Sequence, residues 1–196
     1  MHIISVNVAR VGSLFSPASP AGHQVASAIH KQPASGPVEL GRLGLAGDAQ
    51  ADRRLHGGPG KAVYAYPLEH YAFWQNQRRL AGKDDTPLAY GALGENLTVE
   101  GLLEDDCWIG DRLAVGTALL EVSEVRTPCF KLNVKIGLSH AVRLMDQSGH
   151  TGFYLRVLQA GTLAAGDTLT VLPGPRTLSI AQINAGRRTA RQPDLF

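Results

Sequence analysis

Cysteine is scarce in this chain: 196 residues carry two, Cys107 and Cys129, and no C-x-x-C occurs. That excludes a disulfide framework, a zinc ribbon and a thioredoxin-type redox pair, and it suits a reducing compartment, so a cytoplasmic protein is expected. Charge of one sign is lacking as well. Lys plus Arg total 19 against 17 for Asp plus Glu, a net charge of +2, which gives no field strong enough to make a nucleic-acid polymer or a membrane the main partner. No apolar run approaches the roughly 18 residues of a membrane helix, and the opening MHIISVNVARVG has neither the charged start nor the cleavage site of a signal peptide. G-x-G-x-x-G and the Walker spacing are both missing, so no flavin, nicotinamide or nucleotide site is recognisable. His2, His23, His30, His70, His140 and His150 show no i, i+4 pairing, and no metal site made of protein ligands alone is evident.

What the chain has in quantity is turn residues. Glycine at 22 and proline at 11, spread among short alternating segments, predict a strand-rich fold, and the length favours one domain. Ile4, Val6 and Val8 alternate with Ser5, Asn7 and Ala9 as a half-buried opening strand. Residues 16–37 read as loop, with an extended piece near Val25 to Ile29. GDRLAV at 110–115 is echoed by GDTLTV at 166–171, each a Gly-Asp turn entering a strand, and ALLEVSEV should pair with the first copy as a hairpin. Two helices are expected. One spans 67–80, with Pro67 in its first turn and Leu68, Tyr71 and Trp74 on one face; the other starts at Ser139 as N-cap and stops at Gly149. Beyond about residue 174 the pattern predicts one short amphipathic element and a polar tail that buries little.

Three stretches can carry chemistry. In LHGGPGKAVYAY, His56 precedes Gly57 and Gly58, whose freedom at positive φ permits close approach to an anion; a tight turn with a solvent histidine is the alternative. In LGENLTVEG, Asn96 and Glu95 can read a polar heterocycle or simply cap a turn. In EVRTPCFKLN, Pro128 ends a ladder and biases Thr127 to an extended conformation, so Cys129 should stand at a strand's end, with Arg126 and Lys131 able to stabilise a thiolate or a phosphate. Cys107, beside Trp108, reads as core. Asp48 and Asp52 precede His56, and either could orient its imidazole.

In order, G-L-x-G-D (44–48), H-G-G-x-x-x-A-V (56–63), Y-P-x-E-H-Y (66–71), G-E-N-L (94–97), G-D (110–111) and R-x-P-C-x-K-L (126–132) resemble the MOSC domain, named after the C-terminal domain of molybdenum cofactor sulfurase. The YiiM-type subgroup is the nearest pattern, covering residues 1–175, with 176–196 as a C-terminal extension that keeps only the beginning of that subgroup's helical segment. The resemblance implies a mainly β fold, a distorted barrel with peripheral helices. It further implies binding of the molybdenum cofactor, with Cys129 as the protein's ligand to molybdenum and as a catalytic residue. His56, Gly57, Gly58, Asn96, Arg126, Thr127 and Lys131 would then line cofactor or substrate, with His56 as proton donor. The implied activity is reduction of N-hydroxylated compounds such as hydroxylaminopurines and amidoximes, with electrons from a separate reductase, in a protein for which the family favours a homodimer. Two other readings stand beside it: a non-catalytic carrier of cofactor or of a persulfide on Cys129, and a cofactor-free thiol enzyme with His56 as base.

Overall fold

The computed structural model describes residues 1–15, 24–51 and 57–191. Its strands, in chain order, are β1 (His2–Val8), β2 (Gly12–Phe15), β3 (Gln24–Ser27), β4 (Gln32–Pro33), β5 (Val38–Gly41), β6 (Gly44–Leu45), β7 (Val63–Pro67), β8 (Leu97–Glu100), β9 (Arg112–Val115), β10 (Ala118–Val125), β11 (Phe153–Gln159), β12 (Gly161–Leu163) and β13 (Leu169–Leu172). The helices are α1 (Tyr71–Leu80), α2 (Phe130–Ile136), α3 (Ala141–Ser148) and α4 (Ile180–Arg191). Among the described residues no helix is long and apolar enough to cross a membrane.

An eight-stranded sheet in the order β13-β9-β10-β11-β7-β8-β1-β4 curls until its ends approach. A bridge between His2 and Thr168, with Ile3 N–H donating to Asp167 O at 2.9 Å and Leu169 N–H to Met1 O at 3.0 Å, ties β1 to the start of β13 and brings the curled sheet towards a barrel. The expected β-barrel class with peripheral helices is therefore found. The two echoed Gly-Asp segments become β9 and β13, and they pair with each other, Val115 opposite Leu169 and Leu113 opposite Val171. β9 and β10 form the expected hairpin, with Leu120 and Val122 fully buried.

Strand β7 explains why the molecule has two apolar layers. Strict alternation sends Val63 and Ala65 into the barrel core, while Tyr64 and Tyr66 join Tyr71, Trp74, Leu132, Ile136 and Met145 under the helices. Both faces of β7 are covered, so the strand is buried throughout. β7 and β8 run parallel, and the crossover that a parallel pair requires contains α1.

Three local expectations need correction. A register shift between Ile3 and Ser5 puts Ile3 and Val6 in the core and buries Ser5 and Asn7 on a hydrogen-bonded polar face, so β1 does not simply alternate. Pro67 closes β7 opposite Val99 and does not open a helix; Leu68–His70 is a 3-10 turn and α1 begins at Tyr71. His140, not Ser139, occupies the N-cap of α3. The predicted stop at Gly149 holds, in the left-handed conformation that glycine favours there. Past residue 174, the expected amphipathic element is the 12-residue α4, which buries Ile180 and Asn184 and whose Ile180 N–H donates to Cys107 O at 2.9 Å; residues 192–196 lie outside the described residues.

Candidate functional site

Cys129 is the N-cap of α2, with extended backbone at φ −128° and ψ 173°; it lies four residues beyond the end of β10. It is partly exposed, whereas Cys107 is buried in the barrel core as expected, and neither forms a disulfide. The ladder already ends at Val125, three residues before Pro128, and the carbonyl of Cys129 accepts the Leu132 N–H at 2.9 Å to start the helix. The thiol opens onto a cleft on the helical side of β7 and β11, whose walls include Tyr64, Tyr154, Asn96, Arg126, Thr127 and Lys131.

Arg126 is buried and forms the floor. Its Nη1 donates to the Tyr64 hydroxyl at 2.6 Å and to Leu93 O at 2.9 Å, and the guanidinium lies 4.4 Å from the centre of the Tyr64 ring. Burial raises the Tyr64 phenol well above its ordinary value, so it stays protonated and donates to Thr151 O at 2.8 Å. Lys131, expected beside the thiol, lines the cleft but reaches across to β3, where Nζ donates to Ala26 O at 2.9 Å. Arg187 of α4 donates to the Thr127 hydroxyl at 3.0 Å, tying the segment before Cys129 to the C-terminal helix.

Asn96 also lines the cleft, but its amide is engaged within the protein. Oδ1 accepts the Tyr64 N–H at 3.1 Å, while Nδ2 donates to Asn7 O at 3.2 Å and to Asp48 Oδ2 at 2.8 Å. Glu95 is fully buried away from the cleft lining, accepting from Tyr71, Gly91 N–H, Leu93 N–H and Thr98. For this pair the turn-and-clasp role applies, because every donor a heterocycle would seek from the Asn96 amide already has a protein acceptor. Gly58 adopts φ 87°, as its motif suggested, yet its N–H is taken by Gln50 Oε1 at 2.9 Å, and neither Gly57 nor Gly58 forms part of the cleft wall. Asp48 is paired with Lys31 at 2.5 Å. His56 and Asp52 lie outside the described residues.

Among the wall residues not singled out from the sequence, Lys31, Lys61, Tyr64 and Tyr154 bring charge or a phenol to the cleft. Lys61 and Tyr64 stand inside the quoted glycine motif, where a period-2 reading of KAVYAY would have separated Tyr64 from the core-facing Val63. Lys61 Nζ lies 3.5 Å from the Glu124 carboxylate and 5.9 Å from the centre of the Tyr154 ring. The wall thus collects Lys31, Lys61, Arg126 and Lys131 against Asp48 around one thiol, a surplus of positive charge suited to an anionic ligand.

A family model for the MOSC domain matches residues 52–170, more than half of the sequence. The chain belongs to the MOSC family. Among curated proteins, this MOSC chain is 42% identical to YflK of Bacillus subtilis over 83% of its own length and 72% of that protein. It is 38% identical to YiiM of Escherichia coli over 74% of itself and 64% of YiiM. It also matches a Gibberella moniliformis protein named "Reductase", 38% identical over 79% of this chain but only 27% of that one. The crystal structure of YiiM from Geobacillus stearothermophilus superposes with a TM-score of 0.76 at 36% identity, covering 98% of this chain and 86% of that one. YiiM from Escherichia coli gives 0.66 at 29% identity, over 90% and 76%. Family and subgroup are therefore those the ordered motifs resembled.

Proposed function

We propose that this MOSC protein binds the molybdenum cofactor in the cleft at Cys129 and reduces N-hydroxylated compounds, hydroxylaminopurines and amidoximes, with electrons from a separate reductase. The observation that carries the reading is the convergence of a partly exposed thiol with four cationic side chains in one cleft of a YiiM-type fold. The donor set fits the group: a soft thiolate suits a metal already held by dithiolene sulfurs, and Arg126, Lys61 and Lys131 suit the cofactor's phosphate. When bound, a molybdenum pterin supplies the two-electron redox chemistry. The chain's own part is to ligate through Cys129, to balance charge through the cations, and to present neutral phenols at Tyr64 and Tyr154, both held protonated by burial. His56 is the proposed proton donor, since its unperturbed pKa lies near neutrality. The name of the Gibberella relative, of which this chain covers 27%, supports the reductase reading, and a separate electron source is proposed because this sequence carries no recognisable flavin or nicotinamide motif.

Metal analysis tests this. Protein produced in a host that makes the cofactor should carry molybdenum near one per chain, and Cys129→Ala should carry almost none while keeping its melting temperature. Metal-free wild-type protein whose Cys129 takes up a persulfide would establish the carrier reading instead.

A further inference from the structure

One wall of the cleft holds a buried ion pair, Lys31 with Asp48, to which the assignment above gives no part beyond charge balance. Lys31 Nζ lies 2.5 Å from Asp48 Oδ1, and each side chain is only 8% exposed. Asp48 is fixed on every side: Oδ1 also accepts the Ala9 N–H at 2.8 Å, and Oδ2 accepts Asn96 Nδ2 at 2.8 Å. Lys31 is fixed by its backbone, because Gly91 at φ 84° packs so closely that a Cβ there would stand 2.9 Å from the Lys31 carbonyl oxygen. A buried ion pair is a poor stabilising device, since its desolvation offsets most of its attraction. Its position suggests another use. Among the described residues Lys31 alone borders both the Cys129 cleft and a second depression, lined by Gln32, Arg78, Asp84, Tyr90 and Lys135.

We infer that Lys31 delivers one of the two protons consumed in the cleft, held in position by Asp48 and reprotonated from the solvent of the second depression. This rests on the reductase reading. In the reaction two electrons arrive from the donor protein and two protons are taken up; the N–O bond breaks, the oxygen leaves as water and the nitrogen remains as the amine of the base or, for an amidoxime, as part of the amidine. Lys31 passes from ammonium to amine as it gives up its proton and then recovers one from solvent, while the other proton comes from His56. The charged groups around Lys31 are Asp48 and Glu95, which favour the ammonium, Lys61, Arg126 and Lys131 in the cleft, and Arg78, Asp84 and Lys135 at the second depression. Burial outweighs the two carboxylates and pushes the Lys31 ammonium below the ordinary lysine value, so it yields its proton more readily than a solvated lysine.

The test uses cofactor-loaded protein with benzamidoxime as substrate and dithionite-reduced methyl viologen as electron source. Lys31→Arg keeps a cation against Asp48 but does not release its proton. Its kcat should fall by at least about tenfold, with KM and metal content within about twofold of wild type. Wild-type kcat should decline on the alkaline side as Lys31 loses its proton, and in Lys31→Arg that limb should move beyond the measured range. Lys31→Ala should regain activity when methylamine is added, an effect a purely structural lysine would not show. Independently of turnover, the 13Cε resonance of Lys31 in cofactor-free protein should titrate below the ordinary lysine value. A Lys31→Arg protein with wild-type kcat and limb, a folded Lys31→Ala protein indifferent to methylamine, or a Lys31 that titrates as a solvated lysine would each overturn the relay. Wild-type protein that carries molybdenum yet leaves benzamidoxime intact would instead sink the reductase reading, and the relay with it.

Discussion

His150 stacks on His70, ring centroids 3.8 Å apart and planes 6° from parallel, and Phe73 meets it edge-on at 5.0 Å. His70 Nε2 lies 2.7 Å from Glu104, while Nδ1 of His150 is buried without a hydrogen-bond partner among the described residues. Burial first, then the neighbouring His70, lowers the His150 pKa, with Glu104 opposing. The folded protein therefore holds this imidazole neutral, whereas the unfolded chain protonates it at about pH 6.5. Its contribution to stability is complete above that pH and shrinks as pH falls through the depressed folded value. Melting temperature should be level from about pH 8 to about pH 7 and drop toward about pH 5; His150→Gln should show a shallower drop, and an unchanged slope would remove His150 as the cause. At this scale the cleft was partly legible in the sequence. Arg126, Thr127, Cys129 and Lys131 share one short segment, where a polar setting around a thiol is a local pattern. Lys31 and Tyr154 gave no such signal, because their place beside Cys129 depends on pairings such as β11 with β7 that no local window contains.

Between residue and fold stands the α2–α3 pair, of which the sequence announced only α3. FKLNVKI is seven residues long, with β-branched Val134 and Ile136, so its pattern is too short to tell helix from strand. Tertiary packing decides the matter: Leu132 and Ile136 enter the apolar layer with Trp74 and Met145, and Gly137 ends the helix at φ 75°. The cap of α3 comes from the other helix. Asn133 Oδ1 accepts the Val142 N–H at 2.8 Å, and Nδ2 donates to Ser139 O at 2.8 Å, so one amide clasps both elements while the Ser139 hydroxyl caps nothing. Asn133→Ala should therefore destabilise the protein by about 1–2 kcal/mol, the range of a lost cap, and Ser139→Ala by less than about 0.5 kcal/mol. Urea denaturation reads both, and the reverse ranking would return the cap to Ser139. The longer helices were easier to find. α1 spreads Tyr71 and Trp74 along one face over ten residues, so periodicity alone predicts the element and only its first turn was misplaced.

Closure of the molecule depends on a small sheet docking against a large one. The three-stranded sheet β12-β5-β6 meets the β9–β10 hairpin at its tip, where Thr117 N–H donates to Thr162 O at 3.0 Å and Thr162 N–H to the Thr117 hydroxyl at 2.8 Å. Two glycines allow this approach. A Cβ at Gly161 would stand 2.6 Å from the Thr117 carbonyl, and one at Gly116 would overlap the Thr162 carbonyl, so each faces backbone that cannot rotate away. Gly161→Ala should lower stability by roughly 1–3 kcal/mol through the contact alone. Gly116→Ala should lower it further, since φ 55° adds about 1 kcal/mol of backbone strain. The two effects should not add. Once either methyl has forced the sheets apart at Thr117 and Thr162, the second finds the gap already open, so the double variant should fall short of the sum by more than about 0.5 kcal/mol. Strict additivity in a double-mutant cycle would mean that the two glycines relieve separate strains, and that the small sheet and the hairpin tip do not close as one joint.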